Sequence, residues 1–90
     1  VIMRVEPLYN FDQRFYVIHE KENERHVVES RISGTFKRRS CYLYRISSVR
    51  WEPFWCEDFT ITEKELKQKI GTTFFFNSVE ALLYIKKTAR

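Results

Sequence analysis

Three segments rich in β-branched and aromatic residues follow one another closely in this chain, and they constrain its fold more than any other feature. They cover residues 14–20, 26–36 and 41–47. Residues 21–25 contain no apolar side chain, and residues 37–40 are basic or polar, so both connectors are expected to be solvated turns. Long β segments joined by short polar connectors indicate an antiparallel meander.

Side-chain alternation predicts which face of each strand is buried. In the third segment, Tyr42 and Tyr44 fall on one face and Arg45 on the other. A small sheet needs one buried face, so the two tyrosines are expected in the core. The second segment alternates imperfectly, and Gly34 suits a bulge or a bend near its end.

A capping signal predicts a short helix in the second half of the chain. Thr62 and Glu65 have the spacing of a capping box, in which the Thr hydroxyl and the Glu carboxylate satisfy free backbone amides. A helical turn is therefore expected over residues 66–70. Gly71 is placed to end it.

A second capping signal predicts a terminal helix. Asn77, with Glu80 three residues later, caps a helix expected over residues 78–89, and residues 72–76 before it return to strand character. The apolar side of this helix is supplied by Val79, Leu82, Leu83 and Ile85.

Length and composition indicate one folded domain over residues 1–90. Residues 1–13 form a lead-in, residues 14–76 the strands and residues 78–89 the helix. A chain with 43% hydrophobic and 31% charged residues has an ordinary globular balance. Only two Gly are present, which argues against a Gly-rich phosphate loop and hence against a P-loop or dinucleotide enzyme. The fold class expected is mostly β, of the α+β type.

The apolar runs are short for a membrane protein. A helix needs about 20 apolar residues to span a bilayer, and the runs at residues 73–76 and 81–85 are far shorter. Residues 1–8 are too short for a signal peptide and are broken by charges and Pro7. A soluble, cytoplasmic protein is expected.

The cysteines and histidines offer little chemistry. Cys41 and Cys56 are too few for a disulfide scaffold, so reduced and partly buried thiols are expected. Together with His19 and His26 they give the two Cys and two His of one type of zinc site. They lack the pairs of ligands close together in sequence that such zinc sites use. The same four residues could supply a nucleophile and a base, yet no local signature accompanies them. No metal, cofactor or catalytic residue is predicted.

All of the formal charge of +4 arises in an acid-free window over residues 31–50. Its six basic residues are Arg31, Lys37, Arg38, Arg39, Arg45 and Arg50. Aromatic side chains are interleaved with them, and Trp51 and Trp55 follow as possible stacking residues. Basic side chains neutralise phosphates and aromatic rings stack on unpaired bases, which suits single-stranded nucleic acid. A plain solvated basic surface and an acidic protein partner are the alternative interpretations.

The tryptophans have a second interpretation. Pro53 interrupts residues 51–59, which favours an edge strand or an ordered loop there. Trp51 and Trp55 stand beside acidic residues, and such a pairing can bind a basic or Pro-rich peptide. The competing interpretation is that both tryptophans belong to the core.

Residues 66–81, LKQKIGTTFFFNSVEA, resemble the closing signature of small SH3-like β-barrel proteins from phages and mobile elements of Gram-positive bacteria. Residues 15–20 and 26–32 are similar to the first two strands of those proteins. The resemblance implies an SH3-like antiparallel barrel with a C-terminal helix. This chain departs from the pattern by lacking the Gly and Asp of the opening strand and by carrying the basic, aromatic middle.

The sequence thus predicts a non-enzymatic binding module that contacts nucleic-acid phosphates through a basic loop centred on residues 37–39. The alternative is a protein-binding inhibitor of a nucleic-acid-guided host defence enzyme, similar to an anti-CRISPR protein. It would use the same basic surface against an acidic groove. In either case the partner is anionic.

Overall fold

Five strands and two helices make up residues 6–49 and 57–89, the part of the chain that the computed structural model describes. In chain order they are β1 (Arg14–Lys21), β2 (Glu24–Arg38), β3 (Cys41–Ser48), β4 (Phe59–Thr62), α1 (Glu63–Lys69), β5 (Phe74–Phe75) and α2 (Ser78–Lys87). The strands form one antiparallel sheet in the order β4-β3-β2-β1-β5. The domain is therefore mostly β and of the α+β type.

Strands β1, β2 and β3 form the predicted antiparallel meander, and β4 continues it by pairing with β3. Glu22 and Asn23 join β1 to β2 with φ of 53° and 67°, the left-handed backbone that a two-residue hairpin turn requires. Strand β2 begins two residues earlier and ends two residues later than predicted. Lys37 and Arg38 are consequently strand residues, and the β2–β3 turn is reduced to Arg39 and Ser40.

A β-bulge in β2 reverses its side-chain alternation. The register against β3 shifts between Ile32 and Gly34, which leaves Ser33 as an extra residue and confirms the bulge predicted near the glycine. In an uninterrupted strand Phe36 would share the buried face of Ile32. The extra residue moves Phe36 to the opposite face.

The core lies on one face of the sheet, called here the core face. Phe15 meets Tyr9 and Phe74 edge to face, with ring centroids 5.6 and 5.8 Å apart. Tyr44 is completely buried, as predicted, and Tyr42 packs half-buried against the same cluster. The cluster consists of Tyr9, Phe15, Val17, Ile32, Tyr44, Ile46, Ile61, Leu66 and Phe74.

The two edge strands approach each other across the core face. Phe59 of β4 and Phe74 of β5 have ring centroids 6.1 Å apart, although these strands occupy opposite edges of the sheet. The sheet is therefore strongly curled. No backbone ladder joins β4 to β5 within the described residues.

Helix α1 begins at the predicted cap. The Glu65 amide donates to Thr62 Oγ1 over 3.2 Å. Acidic residues occupy the first turn and basic residues the last, which favours the helix dipole. Gly71 follows the helix with φ of 95°, a left-handed conformation that glycine adopts without steric cost.

The hydroxyl of Tyr44 connects three parts of the domain. It donates to Glu63 Oε2 over 2.6 Å and accepts from the Tyr9 amide over 3.2 Å. The same carboxylate oxygen accepts from the Leu8 amide over 2.9 Å. Strand β3, helix α1 and the segment before β1 are therefore joined at one point, where the Tyr44–Tyr9 hydrogen bond is buried and the Tyr44–Glu63 hydrogen bond is partly buried.

Helix α2 packs on the opposite face, called here the outer face, against β1, β2 and β5. Its cap is confirmed, because the Glu80 amide donates to Asn77 Oδ1 over 2.8 Å. The side predicted as apolar is not the side that packs. Ala81 is buried, and the rings of Tyr84 and Phe75 pack together with their centroids 5.5 Å apart. Most of the predicted apolar residues face away from the sheet. Neither helix of the described chain is long and apolar enough to cross a membrane.

We expect Tyr44→Phe to lower the free energy of unfolding by about 1–3 kcal/mol, because the Tyr9 amide and the Glu63 carboxylate lose a buried hydrogen-bond partner. Thermal unfolding followed by circular dichroism measures the change. Tyr16→Phe in β1 is the matched control, since the Tyr16 hydroxyl makes no hydrogen bond in the described chain. Equal midpoints for the two variants would contradict the role assigned to the Tyr44 hydroxyl.

Candidate functional site

The β2–β3 hairpin carries all the predicted site residues that the structure describes. These are Arg31, Lys37, Arg38, Arg39 and Arg45. The other predicted site residues, Arg50, Trp51 and Trp55, lie outside the described residues. So do Cys56 and most of the segment 51–59, for which an edge strand or loop is predicted.

The hairpin extends beyond its neighbour β1. Pairing between β1 and β2 stops at Arg14 and Arg31, whereas β2 continues to Arg38. Ile32 still exchanges backbone hydrogen bonds with Asp12 and Gln13, and beyond it β2 pairs with β3 alone in the described chain. The hairpin tip, defined here as residues 37–41, is exposed throughout, and its positive charge discourages pairing with the edge of another sheet.

The ring of Phe36 lies on the outer face against Gly34. It is 47% exposed. A Cβ on Gly34 would lie 3.2 Å from both Cε2 and Cζ of this ring, closer than side chains normally approach. The absence of a side chain at Gly34 therefore makes room for the ring. Phe36 is one of the aromatic residues interleaved with the basic window but is not among the predicted site residues, and strict alternation from Ile32 would turn it inward.

Arg45 lies beside this ring and is held in place by the bulge. It pairs with Gly34 across the strands, and its Nε donates to Ser33 Oγ over 3.2 Å. Ser33 Oγ is also 2.6 Å from Ser47 Oγ. The extra residue of the bulge thus orients an exposed guanidinium along the outer face.

These residues form one surface, called here the outer-face patch. Cross-strand pairs share a face, and Phe36 pairs with Leu43, two pairs away from Gly34 and Arg45 and hence on the same face. Arg38 follows Phe36 by two residues and falls on the same side. The outer-face patch consists of Gly34, Phe36, Arg38, Leu43 and Arg45.

Arg31 differs from the other basic residues because it is paired with an acid. Its Nη1 lies 3.5 Å from Asp12 Oδ1, and Arg14 Nη2 approaches the same oxygen at 3.8 Å. Lys37, Arg38, Arg39 and Arg45 take part in no ion pair within residues 6–49 and 57–89. Four basic residues without an acidic partner in the described chain therefore lie at the hairpin tip and the outer-face patch.

A cleft of about 280 Å³ lies elsewhere, between β1, β4, β5 and α1. Phe59 and Phe74 supply apolar walls, and Glu65 and Lys69 add one charge of each sign. The buried Nε2 of His19 has no hydrogen-bond partner in the described chain, and burial lowers the pKa of this histidine below its ordinary value. This cleft lacks the concentrated positive charge of the hairpin.

The possible thiol and imidazole pair is not assembled by the described residues. His19 and His26 are cross-strand partners in β1 and β2. Cys41 pairs with Arg38, twelve residues along β2 from His26 and hence roughly 40 Å away. Cys41 is free and exposed, so the expectation of a partly buried thiol is wrong for it. The described residues contain no group of three or more His, Cys, Asp and Glu side chains that could hold a metal.

The chain matches no protein-family model, no curated protein and no solved structure. Function is therefore inferred from the side chains of the site. The outer-face patch offers an exposed aromatic ring, a partly buried Leu43 and two guanidinium groups on one surface. Such a surface can contact apolar rings and anions at the same time.

We expect Gly34→Ala to displace the Phe36 ring while changing stability by less than about 1 kcal/mol. The new methyl group crowds a ring that is half exposed and free to shift by a few tenths of an ångström. Ring-proton chemical shifts of Phe36 and the thermal midpoint measure the two effects.

Gly71→Ala is the control, with the opposite pattern. Nothing lies within 4 Å of a Cβ at Gly71, but its φ of +95° is strained for alanine. The free energy of unfolding of this variant should therefore fall by about 1–2 kcal/mol. The chemical shifts of the Phe36 ring should stay unchanged. Unaltered Phe36 shifts in Gly34→Ala would refute the contact between the ring and the glycine.

Proposed function

We propose that this protein is a non-enzymatic module that binds single-stranded nucleic acid through the outer-face patch and the hairpin tip. One observation carries the proposal. The half-exposed Phe36 ring is packed against Gly34, with Arg38 and Arg45 on the same face of the sheet.

The positive charges supply affinity for the phosphate backbone. Lys37, Arg38, Arg39 and Arg45 are exposed and have no acidic partner in the described chain, so they are available to phosphates. Neutralising phosphates releases condensed counterions, which makes the binding strongly dependent on salt. Arg31 contributes less in this proposal because Asp12 already lies beside it.

The aromatic ring supplies the preference for unpaired bases. Stacking of a base on an aromatic side chain contributes about 1–3 kcal/mol, and it needs a base face that a duplex keeps covered. Phe36 is held on the outer face by the strand pairing and by Gly34, so it is in position before the ligand arrives. Leu43, its cross-strand partner, extends the apolar contact.

We also propose a fold, an origin and a cellular location for this protein. The approach of Phe59 to Phe74 supports an SH3-like barrel. The resemblance described above supports an origin in a phage or mobile element, and the short apolar runs of the sequence support a cytoplasmic protein. Arg50, Trp51 and Trp55 lie outside the described residues, and the sequence alone proposes them as further cationic and stacking residues.

An inhibitor of a host defence enzyme is the second candidate, and it rests on the same surface. A half-exposed aromatic residue ringed by Arg is typical of protein interfaces as well as of nucleic-acid platforms. An acidic protein partner would be recovered at equal stoichiometry by a tagged copy from host lysate. It would also leave the isolated domain without affinity for oligonucleotides.

We expect Phe36→Ala to weaken binding to a single-stranded oligothymidine by about 5- to 150-fold, because the stacking contribution is removed. Fluorescence anisotropy of the labelled oligonucleotide measures the affinity. Phe76→Ala is the matched control, since Phe76 is 50% exposed but lies beside the β1–β5 edge of the sheet, against Phe15. Equal losses in the two variants would exclude Phe36 as a stacking platform.

Removing tip charges should change the salt dependence of that binding. The double substitution Arg38→Ala and Arg39→Ala should reduce the slope of log K against log salt by about 1.4, since each phosphate contact with a single strand contributes about 0.7. Lys64→Ala with Lys67→Ala, two exposed lysines of α1, is the control and should leave the slope unchanged. Binding that is undetectable even at low salt would refute the nucleic-acid proposal and leave the protein-binding candidate.

A further inference from the structure

Helix α2 presents an apolar stripe that the described residues of the domain leave exposed. Val79, Leu82 and Leu83 are 62%, 57% and 60% exposed. Their spacing places them together on one side of the helix, with Lys86 continuing the line one turn later. Three large apolar side chains in a row on a short helix are typical of a surface that packs against another element.

The stripe is held facing outward by the contacts on the other side of the helix. Ala81 is completely buried, and Tyr84 contacts Phe75. The guanidinium of Arg25 donates to the Ile85 carbonyl over 2.9 Å and to Thr88 Oγ1 over 2.7 Å, which fixes the C-terminal end of α2 to β2. Turning the stripe inward would break all of these contacts.

The charges of α2 are complementary to those of a second copy in one orientation. Glu80 lies in the first turn and Lys87 in the last, seven residues later and hence on the same flank of the stripe. An antiparallel partner helix places Glu80 opposite the partner's Lys87, and the two-fold symmetry repeats the contact. A parallel partner helix would put the two Glu80–Lys87 flanks on opposite sides of the contact, so these charges would not pair.

We propose that α2 is a self-association surface, through which two copies of this chain pair with antiparallel helices. Val79, Leu82 and Leu83 form the centre of the contact, and Glu80 and Lys87 flank it. The antiparallel arrangement also places the positive N-terminal end of each helix dipole beside the negative C-terminal end of the other, which is favourable. An isologous contact of this kind closes on itself, so it yields a dimer and not a fibre.

The contact is small, which determines how it will be observed. A standard interface buries about 800 Å² per partner, more than three half-exposed side chains and their neighbours supply. The dimer is therefore weak and depends on protein concentration. It leaves the hairpin tip free, and it does not depend on the nucleic-acid proposal.

Sedimentation velocity over a concentration series up to the millimolar range tests the pairing. The wild-type chain is expected to shift from monomer to dimer, and Leu82→Asp to remain monomeric. Glu57→Lys, at an exposed position outside α2, is a charge control that should dimerise like the wild type.

A charge exchange tests the orientation. Glu80→Lys alone, and Lys86→Glu with Lys87→Glu, should each be monomeric because each places like charges opposite one another. An equimolar mixture of the two variants should form a heterodimer, since both flanking contacts become attractive again. Circular dichroism is the control that each variant is folded. A wild-type chain that stays monomeric would overturn the proposal, as would a mixture that fails to associate.

Discussion

The extra residue in β2 determines which surface this domain offers to a partner. Ile32 faces the core, and an uninterrupted strand would bury Phe36 beside it. The bulge at Ser33 reverses the alternation, so Phe36 and Arg38 face outward while Thr35 takes the inward position. The exchange has a cost, because the buried Thr35 hydroxyl has no hydrogen-bond partner in the described chain. A bulge that leaves a polar group unsatisfied and exposes an aromatic ring is the kind of local exception expected at a functional site.

The remainder of the domain packs against the base of this hairpin, and the described residues do not contact its tip through strand pairing. Tyr44 of β3 is buried, and its hydroxyl connects the sheet to α1 and to the segment before β1. Beyond Ile32, β2 has only β3 as a described neighbour, so the tip extends from a fixed base. Helix α2 covers the outer face over β1, β2 and β5. The rigid core and the free tip together explain how a small domain can present a ring and several cations without reorganisation.

Much of the fold could be predicted from local signals. The β-rich segments, the caps at Thr62 and Asn77 and the bulge near Gly34 were all visible, because each depends on residues close in sequence. The parts that could not be predicted depend on tertiary contacts. Strand β4 has only four residues, too few for a periodic pattern. The packed side of α2 is set by small and mixed residues such as Ala81, which a search for large apolar side chains overlooks. The basic residues of the site were found from charge alone. Phe36 was missed because Gly34 indicates a bulge or a bend without fixing which residue is inserted, and one inserted residue inverts every later position of the strand.

The outer-face patch and the hairpin tip are the proposed binding surface for single-stranded nucleic acid. This proposal is tested most directly by a titration of isotope-labelled protein with an oligothymidine of about 8 nucleotides, a length within the range of about 4–16 nucleotides that one OB fold binds. Backbone amide shifts report on every residue at once. The structure predicts saturable shifts concentrated in residues 33–47, with the largest at Phe36 and its neighbours. Shifts located on α2 or around the His19 cleft, or no shifts at low ionic strength, would contradict it.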